Sequence, residues 1–190
     1  MLFWIIIAAA AAVAACAVVI FNRLVRLRQM ASEAWSGIDV QLKRRSDLVP
    51  NLVEAVKGYA AHERSVLEEV AELRGIARAM PTDDVAGRAK AEAALSEGIG
   101  KLLALAEGYP DLKASENFLE LQRELGALED DLQMARRYYN GATRNLNVEV
   151  QSFPSSVIAA VCGFSTRDFF ELSDAGERRP PQVEFNPARQ

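Results

Sequence analysis

His62 and Glu63 stand side by side, a pairing that points to a metalloprotease helix only when a second histidine follows four positions after the first. That position is Val66, so zincin chemistry is not expected, and His62 is the sole histidine in the chain. Gly98-Ile99-Gly100-Lys101 has the look of a phosphate loop, yet Leu95 stands where the first glycine belongs and Leu102 replaces the hydroxyl residue that should follow the lysine. The two cysteines, Cys16 and Cys162, offer neither a disulfide framework nor a thiol-rich metal site. No cofactor is therefore expected. An enzyme would have to draw acid–base chemistry from His62, Glu63 and arginine-rich faces, and the reading preferred here is a non-enzymatic protein.

The charged residues suggest contact rather than catalysis. Glu63 falls on an apolar helical seam, where a carboxylate is costly unless paired. Lys43, Arg44 and Arg45 on the preceding helix are candidate partners, as are Arg136 and Arg137, giving an ionic cluster expected at one end of a helical bundle. Asp39 and Lys43 have the i,i+4 spacing of an intrahelical pair, and Asp47 belongs to the same charged block. Trp35, Tyr59, Tyr138 and Tyr139 are read as packing residues whose polar tips reach Asp or Arg. The net charge of −4 argues against a nucleic-acid role, because affinity for phosphate backbones comes mainly from Lys and Arg.

These residues must be carried by an unusual chain. Of 190 residues, 22 are Lys or Arg and 26 Asp or Glu, and none of them lies in the first 21. Leu2 to Phe21 is wholly apolar and would rise roughly 30 Å as a helix, the thickness of a bilayer's hydrocarbon core. Arg23, Arg26 and Arg28 follow it at once, so the positive-inside rule puts the N-terminus outside and the body in the cytoplasm of a bacterial inner membrane. The alternative is a lipoprotein box at Val13-Ala14-Ala15-Cys16, which would lipidate Cys16 and send the body to the periplasm. It lacks a basic n-region, and the apolar run continues past Cys16, so an uncleaved anchor is preferred. Ala8 with Ala12, or Ala11 with Ala15, has the small-xxx-small spacing of self-associating spans, whereas nothing polar precedes Asn22 to line a pore.

Beyond the span the apolar positions step by three and four: Leu24, Leu27, Ala31, Ala34, Ile38, Leu42. The membrane helix is expected to continue into this seam. A second helix is predicted to start with Ser46 or Asp47 as N-cap and Pro50 in its first turn, its seam running Leu52, Val56, Tyr59, Glu63, Val66, Val70, Leu73 to a stop at Pro81. Thr82, Asp83 and Asp84 cap a third, which Gly108 and Pro110 end. From Ser115 to about Ser152 the alternation through Phe118, Leu125, Leu132 and Leu146 predicts a long fourth helix packed on others. The fold class is all-α: a transmembrane helix over 1–22, an antiparallel up-down bundle over 23–172 with two small helices near Val157–Phe164 and Phe169-Phe170 covering one end, and a Pro-rich irregular tail over 173–190. In the tail Val183 and Phe185 either dock as an extended peptide or stay disordered.

The block from Ala34-Trp35-Ser36-Gly37-Ile38-Asp39 through Lys43-Arg44-Arg45-Ser46-Asp47-Leu48-Val49-Pro50 to Tyr59-Ala60-Ala61-His62-Glu63 closely resembles the signature of the bacterial LemA family. Ala135-Arg136-Arg137-Tyr138-Tyr139-Asn140, Asn147, Phe153-Pro154-Ser155, Gly163-Phe164, Phe169-Phe170 and Pro181 to Phe185 are similar to the family's second half. The resemblance implies an N-terminal membrane anchor and a long antiparallel bundle, with no established catalytic activity. It also implies a setting beside membrane metalloproteases of the HtpX type, kinship with a magnetosome membrane protein, and a topology that varies between transmembrane and lipoprotein members. The function expected is a scaffold or adaptor that contacts the bilayer, itself and a membrane protease partner.

Overall fold

A computed structural model of the chain describes residues 1–60 and 62–171. Among them are six helices and no strand: α1 (Leu2–Lys57), α2 (Arg64–Ala79), α3 (Val85–Ala106), α4 (Pro110–Lys113), α5 (Glu116–Gln151) and α6 (Ser155–Cys162). Val183, Phe185 and the remainder of the 173–190 tail lie outside the described residues.

The apolar run expected to be the span and the first bundle helix form one 56-residue helix, which is long and apolar enough at its N-terminal end to cross a membrane. No start occurs at Ser46 or Asp47, contrary to the sequence expectation, and Pro50 sits inside α1. An interior proline has no N–H and leaves the carbonyl four residues back without its helical partner. That carbonyl is Ser46's, and it accepts instead from Arg74 Nε of α2 at 2.6 Å. A neighbouring helix thus supplies the donor that the proline lacks, and the seam continues unbroken through Arg45, Val49, Leu52 and Val56, all buried. The break falls later, between Lys57 and Arg64, so that Tyr59 is exposed rather than part of a seam. The third and fourth predicted helices are α3 and α5; Asp84 caps α3 by accepting from Gly87 N at 2.8 Å.

Cross-helix pairs fix the register. Arg23 meets Glu149, Trp35 meets Tyr139 and Arg44 meets Asp131, so numbers climb along α1 as they fall along α5 and the two are antiparallel. The rod has three successive cores. At its far end Val49, Leu52 and Val56 of α1 pack with Leu67 and Val70 of α2, Leu95 and Leu102 of α3, and Phe118 and Leu125 of α5. In the middle Ala31, Ile38 and Leu42 pack with Ala89 and with Leu132, Tyr139 and Leu146, joined by Phe170. Nearest the span, Leu24 is covered by Ala159 and Phe164. Gly98, once a candidate phosphate-loop glycine, is a packing residue: a Cβ there would lie 2.9 Å from Leu73 Cδ1 of α2.

One small helix, α6, covers the span-side end, not two. Gly163 ends it at φ 71, a left-handed conformation that glycine adopts without a Cβ penalty, and Phe164 N donates back to Ala159 O at 2.9 Å. The chain then reverses. Phe169 and Phe170 lie in a non-helical strap, because its backbone groups bond to α5 side chains instead of to one another.

Candidate functional site

The strap, residues 165–171, is held by two asparagines of α5. Asn147 donates through Nδ2 to the Arg167 carbonyl and accepts the Arg167 N–H at Oδ1, both at 2.8 Å. Asn140 repeats the pattern on Phe170, at 3.2 Å and 2.9 Å. Seven helical residues advance about 10.5 Å at 1.5 Å each. Three backbone residues cover that distance only when nearly fully extended, at roughly 3.3–3.6 Å each. The two carboxamides therefore impose an extended segment antiparallel to α5, pairing with the segment's backbone as a neighbouring strand's amides would.

The clamp leads into an aromatic junction. Trp35 of α1 lies against Tyr139, with ring centroids 5.2 Å apart, and against Phe170 at 5.6 Å. Its Nε1–H donates to the Thr82 carbonyl in the α2–α3 loop at 2.8 Å, and Tyr139 OH donates to the Asp168 carbonyl at 2.9 Å. The Tyr139 hydroxyl is held above its ordinary pKa chiefly by burial, which keeps it a proton donor. Arg136 lies 5.9 Å from the Phe170 ring, within cation–π range. An open cleft of about 660 Å³ adjoins the junction, bordered by Ser32, Trp35, Asp39, Thr82, Asp83, Tyr139, Arg167 and Asp168. None of the described residues that line it is His, Cys or Lys; it is bordered by carboxylates, of which Asp39 is already paired with Arg88, by hydroxyls and ring edges, and by the Arg167 guanidinium.

Beneath the cleft runs a buried ionic network. Arg45, 1% exposed, lies 3.7 Å from Glu92 and 3.2 Å from Glu129, and its other Nη2 contact is the Ser96 hydroxyl. Asp39 pairs with Arg88 at 2.6 Å rather than with Lys43. Glu92 is pushed above the usual carboxylate range by burial, against the opposing pull of Arg45 and Arg88. The network sits mid-bundle, where α1, α3 and α5 converge, instead of at the α1–α2 turn that the sequence suggested.

Glu63 takes no part in it. It is half-buried just before α2 with the exposed His62, because the chain turns there and the two residues leave the seam. Lys43 and Asp47 are exposed and border a hollow of about 180 Å³ with Arg88 and Glu92; Arg44 pairs with Asp131 at 3.6 Å on the surface, and Arg137 is exposed. Arg23 meets Glu149 at 3.1 Å, Arg28 lies over the Phe164 ring at 4.9 Å, and Arg26 is exposed. Arg88 and Glu92 were overlooked, and Asn140 and Asn147 entered only as family-motif residues without a role. A signal existed for each pair: Glu92 falls between Ala89 and Leu95 on the α3 seam with Arg88 one turn before it, and the two asparagines are two helical turns apart. Among the described residues no group of three or more His, Cys, Asp or Glu could hold a metal.

The pattern of the LemA family matches residues 34–185, which takes in α1 from Ala34 onward, the ionic network, the clamp and the strap. The chain belongs to the LemA family. Among curated relatives, magnetosome protein MamQ 2 of Paramagnetospirillum magneticum is 24% identical over 182 residues, covering 83% of this chain and 66% of its own length. Magnetosome protein MamQ of Magnetospirillum gryphiswaldense matches with the same identity and coverage. Protein LemA of Metamycoplasma hominis is 24% identical over 153 residues, 80% of this chain and 69% of that protein. The match thus spans 66% of the magnetosome relatives' length, just short of two thirds. The all-α bundle that the LemA resemblance implied is the fold observed.

Proposed function

We propose that this LemA-family chain is a single-pass, non-enzymatic membrane scaffold whose bundle gathers copies of itself and a neighbouring membrane protein on the cytoplasmic face. The observation that carries this reading is the continuity of α1. A bundle on a flexible linker would sample all orientations, whereas one built on the span's own helix is held at a set angle and projects about 50 Å, at 1.5 Å per residue from Asn22 to Lys57. Arg23, Arg26 and Arg28 directly after the span support the cytoplasmic placement. The cleft beside Trp35 supports recognition, since Asp83, Asp168, the Arg167 guanidinium and ring edges give it polar and aromatic groups for a partner's side chains.

Crosslinking in native membranes followed by size analysis tests the proposal. Higher-order species containing this chain, with or without a membrane protease of the kind set beside the family, are the expected result; recovery of monomer alone contradicts it. The magnetosome relatives favour a second reading, organisation of an internal membrane. It predicts that the chain concentrates on an internal membrane in cells that make one, as seen by immunogold labelling.

A further inference from the structure

An exposed apolar surface outside the span lies on α6 and the turn before it. Phe153, in the turn before α6, is 85% exposed, and Val157 and Val161, 53% and 81% exposed, are four residues apart within α6 and so share one face. The opposite face is committed, with Ala159 buried against Leu24 and Ile158 packed on the same core. No Lys, Arg, Asp or Glu occurs between Glu149 and Arg167, in a chain that is one-quarter charged. Three large apolar side chains left in water on so short an element are a cost without a return unless something covers them.

The position of α6 identifies the cover. Its core includes Ile20, and Phe21 meets Phe164 edge-on with centroids 5.8 Å apart. Ile20 and Phe21 are the last residues of the apolar run, so α6 stands beside the final turn of the span, at the edge of the hydrocarbon layer. A helix is about 10 Å across with its side chains, and an amphipathic helix at an interface buries its apolar face about 5–10 Å into the headgroup and acyl boundary. The cations around it suit that level: Arg26 is exposed, Arg28 lies over Phe164, and Arg23 is shared with Glu149.

We infer that the exposed apolar surface made by Phe153 of the turn and by Val157 and Val161 of α6 inserts into the same bilayer leaflet from which α1 emerges, giving the bundle a second membrane contact. The inference rests on the reading of α1 as a bilayer span. Two contacts at different points fix both tilt and rotation of the bundle relative to the membrane, which a lone span leaves free to spin about its axis.

The test uses the full chain with Cys16→Ala and Cys162→Ala, reconstituted in vesicles of phosphatidylcholine and phosphatidylglycerol. Single cysteines introduced by Val161→Cys, Ala10→Cys or Ala127→Cys carry an environment-sensitive fluorophore, read with lipids spin-labelled at shallow or deep positions. The Val161 probe is expected to be quenched by the shallow label at least about threefold more than the Ala127 probe, the depth expected of an interfacial helix. Adding Phe153→Asp and Val157→Asp should remove that excess without changing helicity or the unfolding midpoint, since both side chains are exposed. A Val161 probe that behaves like the Ala127 probe while the Ala10 probe is quenched by the deep label overturns the inference and leaves the span intact. An unquenched Ala10 probe overturns both. Concentration-dependent disulfide formation between Val161→Cys copies, in place of quenching, assigns the face to a second copy of the chain and equally overturns it.

Discussion

The two ends of the rod are stabilised by different physics. At the far end, four helices contribute Val49, Leu52, Val70, Leu95, Leu102 and Phe118 to a continuous apolar core, held by burial that is indifferent to direction. Toward the span α2 and α3 have run out, and α1 and α5 alone cannot surround a core. There the strap takes the place of a missing helix, fixed by paired hydrogen bonds from Asn140 and Asn147 and by the Trp35 junction. Between the ends lies the ionic network. The lesson is that where α2 and α3 stop, a bundle is completed by the short α6 and by directional bonds to a segment with no helical signature.

Removing a network partner should have the largest effect. Arg45→Ala leaves Glu92 buried without its main cation and should cost about 3–5 kcal/mol in denaturant unfolding, whereas Arg45→Met with Glu92→Met should be near neutral or stabilising. A small effect of Arg45→Ala would show that the middle is governed by packing like the far end. Next, Arg74→Ala withdraws the charged donor from the Ser46 carbonyl opposite Pro50 and should cost about 1.5–3 kcal/mol. Asn147→Ala should cost about 1–3 kcal/mol but locally: hydrogen exchange should accelerate in residues 165–171 while the amides of α2 and α3 stay protected. If exchange rises in the far core as well, the two regions are one cooperative unit.

The smallest effect concerns pH. Burial raises the folded-state pKa of Glu92 above its unfolded value, so between the two values the folded state binds more protons. That contribution to stability is full below the unfolded pKa near 4.5 and is lost as pH rises through the folded pKa. Glu92→Gln should therefore flatten the dependence of unfolding free energy on pH between the unfolded and the folded pKa, measured in buffers from pH 4.5 upward.

The helices were legible because apolar residues on α1, α3 and α5 keep the three-four alternation that packing demands. The misplaced start at Ser46 came from treating Pro50 as a local signal, when a residue 28 positions away in sequence, Arg74, relieves it. The ionic network was half legible: Arg45 and Asp39 were named, but the carboxylate was sought at Glu63 and not at Glu92, because the expected seam runs past Gly58, the C-cap that ends α1 and removes Glu63 from it. The clamp was least legible, since an asparagine's choice of backbone partner depends on which segment the fold brings to it.

The central claim is that span and bundle share one unbroken helix, and a distance across the junction tests it most directly. Spin labels at Val13→Cys and Ser36→Cys, in the Cys16→Ala, Cys162→Ala chain held in lipid nanodiscs, bracket Asn22 and Arg23. A continuous helix predicts a single narrow distribution near about 35 Å, from 1.5 Å per residue. A broad distribution, or one centred well below that distance, would mean a hinge where the chain leaves the bilayer and would contradict the account.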